Sequence, residues 1–234
     1  MQALETAYFR ATGKGLLLSE QHFLNCAWNV PQNHGCFGGD QDMALEWVFD
    51  QGVIATEAAL PYEGVFDYCP SKLDGYVRFK GHWSLVEPGT RVECLCTTQF
   101  ARFYVVTNLN ITRYNHKCVC CHTCLSAGER ETMEVLLTKG PLTVSIDASA
   151  DDMSFYKSGI YSNPACATKE SELDHAVMLS GYGEEDGVPY WIVKNTWSTY
   201  WGEEGYLRVS RAPDDCGISS QVMYAEMEVL DVVV

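Results

Sequence analysis

His175 and Asn195 form the pair whose residue types and spacing most invite chemistry. His175 stands in Leu173-Asp174-His175-Ala176-Val177 at the head of an apolar run, and Asn195 closes the apolar run Tyr190-Trp191-Ile192-Val193-Lys194 twenty positions later. If both runs are strands, their polar ends can meet. An imidazole oriented through one nitrogen by a side-chain amide oxygen, with its other nitrogen facing a cleft, can hold a thiolate as an ion pair and later protonate a leaving amine. Trp197, two residues on, is placed to shield that contact from water. A histidine beside a strand is more commonly a satisfied core or surface residue, so the surrounding elements decide between the two readings.

Those elements divide along the chain. Ala3, Leu4, Ala7 and Tyr8 recur at helical spacing before Gly13 and Gly15 supply a stop, so Met1 opens inside a helix rather than ahead of one. Ser19 to Leu24 predicts a short capped helix ending near Cys26, and Asn29 to Gly39 reads as a loop. Asp40 is the expected N-cap of an amphipathic helix that carries Met43, Ala44, Trp47 and Val48 on one face and stops at Gly52. Beyond Pro141 the pattern turns to strands at Leu142 to Ile146, Ala176 to Ser180, Tyr190 to Lys194, Tyr206 to Val209 and Val222 to Glu228. Helices early and strands late argue an α+β chain, in which ligand sites favour the seam between the halves.

Composition bounds the partners. With 234 residues the chain is long enough to bury a core, and 31 Asp plus Glu against 16 Lys plus Arg give a net charge of −15. Such a field repels phosphate backbones and anionic lipid, so neither nucleic acid nor a membrane is an expected partner. The eleven cysteines are an odd count suited to disulfides with a leftover thiol. Five are scattered (Cys26, Cys36, Cys69, Cys166, Cys216), and six crowd one stretch: Cys94, Cys96, Cys118, Cys120, Cys121 and Cys124. No basic start or apolar h-region of a signal peptide opens the chain.

The runs Leu18-Ser19-Glu20-Gln21, Gly35-Cys36-Phe37-Gly38-Gly39, Leu60-Pro61-Tyr62, Lys139-Gly140-Pro141-Leu142, Asp174-His175-Ala176-Val177, Tyr190 to Trp197 and Tyr200-Trp201-Gly202-Glu203-Glu204-Gly205-Tyr206 resemble, in order and spacing, the cathepsin-like papain family of cysteine peptidases. The resemblance covers nearly all of residues 3 to 87 and 131 to 229. It implies a papain-like two-lobed α+β fold, with a helical lobe and an antiparallel sheet or barrel lobe. It makes His175 the general acid/base and Asn195 the residue that orients it. Gly38 and Gly39 would lie along the cleft, where bare backbone can bond an extended peptide. Ser145 and Ala176 would line a roomy, uncharged pocket suited to bulky apolar side chains, with Trp197 beside the site. The family's pattern pairs Cys26 with Cys69 and Cys166 with Cys216 and leaves Cys36 a free thiol. It implies polypeptide substrates in extended conformation, a monomer, no cofactor and no metal, and a lysosomal or secreted location.

The family's nucleophile lies in a Cys-Gly-Ser/Ala-Cys-Trp/Tyr signature roughly 130 to 150 residues ahead of the histidine, and these 234 residues contain none. The expectation is therefore a papain-like domain over 1–234 that is truncated at its start by about thirty residues, counted against that spacing. Losing a nucleophile costs on the order of 10⁶ in turnover, so the chain as written is expected to be inactive. Loss of buried helical turns, at roughly 1.5 to 3 kcal/mol per large side chain, predicts a marginally folded or aggregating product. Over 90–130 the resemblance lapses into a cysteine-rich insert that also holds His116; it reads as translated non-coding sequence, with zinc or added disulfides as alternatives. Two functional alternatives stand beside the peptidase: a catalytically dead substrate-binding or decoy homologue, and a metal-binding module on the insert.

Overall fold

The computed structural model describes residues 1–86, 91–93, 104–107, 110–112, 125–126, 130–211 and 215–234. In chain order the helices are α1 (Gln2–Thr12), α2 (Glu20–Cys26), α3 (Gln41–Gln51), α4 (Arg130–Leu137) and α5 (Asp151–Ser154). The strands are β1 (Val53–Ala55), β2 (Tyr76–Val86), β3 (Arg91–Glu93), β4 (Tyr104–Thr107), β5 (Asn110–Thr112), β6 (Leu125–Ser126), β7 (Leu142–Ile146), β8 (Ile160–Tyr161), β9 (His175–Glu185), β10 (Val188–Lys194), β11 (Tyr206–Ser210) and β12 (Val222–Val233). They fall into two compact units, Met1–Leu85 with Met223–Val234, and Val86–Val222.

In the first unit, α1 ends on Gly13, whose φ of 70° and amide donation to the Phe9 carbonyl form a left-handed C-cap. Ser19 caps α2 by accepting from the His22 amide at 3.0 Å. Helices α1 and α3 bury Leu4, Tyr8, Leu45 and Val48 against Ile54, Val77 and Phe79. A disulfide joins Cys26 at the end of α2 to Cys69. Strand β2 alternates buried Val77 and Phe79 with exposed Arg78 and Lys80, so helices early and strands late describes only part of this unit. Strand β1, at three residues, is too short to register a period of two. Asp40 occupies the N-cap of α3, but its side chain makes no capping hydrogen bond.

The second unit is built on the strand order β7-β9-β10-β11-β8, antiparallel except where β11 meets β8. Val144, Ile146, Leu179, Trp191, Val193 and Leu207 are buried in it. Strands β9 and β10 form a hairpin closed by Asp186 and Gly187, both at positive φ (51° and 79°), the geometry of a type I′ turn whose twist suits a tight hairpin. A second disulfide links Cys166 and Cys216. Within this unit β5-β4-β3-β6 also form an antiparallel four-stranded sheet. The six crowded cysteines and His116, on which the zinc and extra-disulfide readings rest, lie outside the described residues. Among the described residues no helix is long and apolar enough to cross a membrane.

Candidate active site

Register brings the two residues of interest together. Lys194 pairs with Met178 in the β9–β10 hairpin, so the residue that leaves β10, Asn195, sits at the same open end as the residue that begins β9, His175. The hairpin carries a register shift between Ile192 and Val193, where Ser180 Oγ donates to the Ile192 carbonyl at 3.0 Å. Nε2 of His175 and Oδ1 of Asn195 lie 2.8 Å apart. An amide oxygen only accepts, so Nε2 carries the hydrogen. The same Oδ1 accepts the Thr196 amide at 2.7 Å, which fixes the carboxamide's orientation. That tautomer leaves the lone pair on Nδ1, which has no hydrogen-bond partner among the described residues.

Both ends of this contact are anchored. His175 pairs with Ile146 across β7–β9, and its neighbour Asp174 accepts the Ala148 amide at 2.8 Å. Asp147, buried at the exit of β7, accepts from Ser149 at 3.0 Å and Ala167 at 2.6 Å. Burial alone would raise the Asp147 carboxyl, but those donors outweigh it and hold it below the ordinary carboxylate value. On the other side the Asn195 amide donates to the Gly205 carbonyl at 2.9 Å, which folds residues 195–205 into a closed loop. Trp197 stacks on the His175 ring with centroids 5.0 Å apart and planes 26° from parallel. It meets Trp201 edge-on at 5.1 Å, and the Trp201 indole nitrogen donates to the Met153 and Ser154 carbonyls at 3.2 Å each. The imidazole is therefore held from below by an amide and from one face by a row of anchored rings.

The family model for papain family cysteine proteases matches residues 1–226. The chain belongs to that family. Cathepsin L of Sarcophaga peregrina is 34% identical over 225 residues, covering 95% of this chain and 54% of that protein. The thiol protease aleurain of Arabidopsis thaliana is 32% identical over 222 residues, covering 95% and 51%. A solved structure of digestive procathepsin L 3 from the larval midgut of Tenebrio molitor superposes with a TM-score of 0.67 at 28% identity, over 96% of this chain and 60% of that one. The chain thus spans about half the length of the curated relatives it matches. The fold is papain-like, α+β with two disulfides among the described residues.

The other residues singled out by sequence fall as follows in this papain-type frame. Ser145 and Ala176 are direct cross-strand partners, so they share one face of the sheet. Ala176 is exposed, whereas Ser145 is buried with its Oγ donating to Gln221 Oε1 at 2.5 Å. Gly38 and Gly39 belong to the first unit. Gly38 has a φ of 95° with open space where a side chain would stand, and a Cβ on Gly39 would fall 2.2 Å from Asn33 Oδ1. Both positions therefore require glycine. Cys36 is free and exposed. Among the described residues the histidine and cysteines that approach one another, His22, Cys26 and Cys69, hold their sulfurs in a disulfide and are no ready metal site.

Two residues went unassigned in the sequence, Glu203 and Arg208. Arg208 bonds Glu203 through Nε at 2.8 Å and through a terminal nitrogen at 2.8 Å, and reaches Glu185 at 2.7 Å. Glu203 also accepts the Gly159 amide at 2.9 Å. This cluster closes the far side of the loop that carries Trp197 and Trp201. The Trp-Gly-Glu run is visible in the sequence, but its carboxylate and the guanidinium lie five positions apart, and the turn closed by the Glu203–Tyr206 bridge at the start of β11 brings them together.

Proposed function

We propose that the chain supplies the acid–base machinery and part of the cleft of a cysteine endopeptidase acting on extended polypeptides. The single observation supporting this is the 2.8 Å contact of His175 Nε2 with Asn195 Oδ1 under the stacked Trp197 ring. With Nε2–H engaged, Nδ1 is the nitrogen left to form an ion pair with a thiolate. The thiolate attacks the scissile carbonyl, and the protonated ring then delivers its Nδ1 hydrogen to the departing amine. Asn195 keeps the ring in one orientation through both steps. Gly38 and Gly39 offer backbone to the peptide, and Ser145 with Ala176 floors a pocket for an apolar side chain.

The 234 residues contain no Cys-Gly-Ser/Ala-Cys-Trp/Tyr signature, and none of the five cysteines among the described residues is proposed as the nucleophile. Cys26, Cys69, Cys166 and Cys216 are spent in disulfides, and Cys36, by resemblance, points away from the histidine. We therefore propose that these 234 residues alone do not hydrolyse peptide bonds. Two disulfides favour an oxidising compartment, in keeping with a lysosomal or secretory route.

The test joins this chain to an upstream segment bearing the family's cysteine signature. The 234 residues alone should leave a fluorogenic peptide uncut, and the joined protein should cleave it. His175→Ala in the joined protein should lower kcat by about 10² to 10⁴. Cleavage by the unjoined chain would refute the proposed inactivity. Unchanged cleavage by the His175→Ala variant would remove the histidine from the mechanism. A joined protein that binds peptide without cutting it would establish the decoy reading instead.

A further inference from the structure

Between Lys14 and Lys72 the sequence contains no lysine or arginine, while it contains eight acidic residues. Within that stretch, and wholly inside the first unit, lies a cavity of about 220 Å³. Phe23 and Trp28 give it aromatic wall, and Asn33, Gly38, Gly39 and Asp40 give it a polar margin. Asn33 is 8% exposed, and its Oδ1 accepts the Asp40 amide at 3.1 Å. Its Nδ2 is buried without a partner among the described residues. A donor so placed costs about 1 to 3 kcal/mol unless something accepts from it. Asp40 departs from its position's usual habit, since an N-cap aspartate ordinarily accepts from the first turn of its helix and this one does not. Its carboxylate caps nothing and, among the described residues, pairs with no cation.

We propose that this cavity receives a lysine or arginine side chain of an extended peptide. The aliphatic stem would lie on the apolar wall and the cation between the Trp28 ring and the Asp40 carboxylate, with the ligand's own carbonyl accepting from Asn33 Nδ2. An aspartate and an aromatic face are complementary to a cation, and none of the 57 residues that follow Lys14 and precede Lys72 is a lysine or arginine. A carboxylate ligand would satisfy Asn33 but would meet Asp40 with like charge. The inference rests on the reading of Gly38 and Gly39 as backbone that contacts substrate, and adds that the residue beside them in a preferred peptide is basic.

The test uses the 234-residue chain and two kinds of probe, read by ¹⁵N shifts of Asn33, Gly38, Gly39 and Asp40 and by Trp28 emission. The first is N-acetyl-arginine methylamide, set against its norleucine and glutamate counterparts; the second is a capped tetrapeptide bearing arginine or norleucine at one position. Arginine probes should bind about five- to tenfold more tightly than norleucine ones, and raising salt should narrow the gap. Asp40→Asn keeps a good N-cap residue and removes only the charge, so it should erase the preference while leaving the circular dichroism unchanged. Trp28→Leu should weaken arginine binding several-fold in a folded protein. Equal binding of arginine and norleucine probes, a preference that survives Asp40→Asn, or tighter binding of the glutamate probe would each overturn the proposal. Arginine methylamide that binds when no tetrapeptide does would uphold the cation site and refute the substrate reading of the two glycines. Tetrapeptides that bind without regard to charge would do the reverse.

Discussion

The two units each hold a histidine pinned by a hydrogen bond, and the two bonds run in opposite directions. In the first unit His22 is 5% exposed, accepts the Ala55 amide on Nδ1 at 3.2 Å, and meets Trp47 edge-on at 5.3 Å. Burial pushes its pKa down to about 4. In the second unit His175 is half-buried and donates from Nε2 to Asn195. A ring that accepts from a backbone N–H must break that bond to take up a proton there. A ring that donates to an amide oxygen keeps its bond in both protonation states, because Nε2 carries a hydrogen in each. The direction of one hydrogen bond thus separates a structural imidazole from one able to shuttle protons.

The largest effect should come from exchanging the two sites' losses. In the protein joined to a nucleophile segment, His175→Gln should cost about 10² to 10⁴ in kcat with little change in stability. His22→Gln should leave kcat of the folded fraction intact and lower the unfolding midpoint in urea. If His22→Gln abolishes turnover in folded protein, the contrast between the sites fails.

Next in size are the disulfides. Opening either bridge with paired serines should destabilise its unit by about 2 to 5 kcal/mol in denaturant titrations. The closed segments span 43 and 50 residues, so chain entropy alone makes the two losses equal to within roughly 0.1 kcal/mol. A gap of more than about 1 kcal/mol would mean that local packing, such as His22 near the Cys26–Cys69 bridge, decides instead.

Acid should separate the units as well. The unfolded chain protonates His22 near its ordinary 6.5, whereas the folded first unit waits until about 4. Between those values the unfolded state binds the extra proton, so stability falls as pH drops through that window, by up to about 3 kcal/mol. Asp147 in the second unit has a lowered folded pKa, so its contribution is present above the usual carboxylate value and is lost only as pH falls through that lower one. The protection factor of the Ala55 amide, taken against the intrinsic exchange rate at each pH, should therefore fall between pH 6.5 and 4, before that of Ala167 does. His22→Gln should flatten the first response and spare the second.

The pairing of His175 with Asn195 is legible in the sequence because strand β9 begins at His175 itself and β10 ends one residue before Asn195. Apolar runs bounded by polar residues are what strand patterning detects. It did not reach Glu203 with Arg208, nor the anchoring role of Asp147, because those bonds depend on hairpin register and loop closure rather than on neighbours in the chain. Strand β2 was missed although Val77 and Phe79 alternate with Arg78 and Lys80, a signal that the later apolar strands overshadowed. Asp40 stands at the N-cap, as its residue type predicts, while the absence of a capping hydrogen bond from its carboxylate is not legible in the sequence.

The smallest expected effect concerns what holds Trp197 over His175. Arg208 engages Glu203 through two nitrogens, and that pairing, ahead of burial, keeps the Glu203 carboxyl below its ordinary 4.5. The side chains are 20% and 29% exposed, so water screens the pair in part. Glu203→Gln retains an oxygen for the Gly159 amide and removes only the charge opposite Arg208, which still has Glu185 at 2.7 Å. The loss should be about 1 kcal/mol, read as a drop of roughly 2 to 4 °C in the melting temperature at pH 7. Because the folded carboxyl is the more acidic, that difference should shrink as pH falls below the ordinary 4.5 and vanish once both states are protonated. If the loop is clamped by this pair, Trp197 emission should shift in the Glu203→Gln variant and not in Glu185→Gln, which touches Arg208 from the more exposed side. Equal shifts in both would mean that the Arg208 cluster acts as a whole and that Glu203 has no privileged hold on the ring above the histidine.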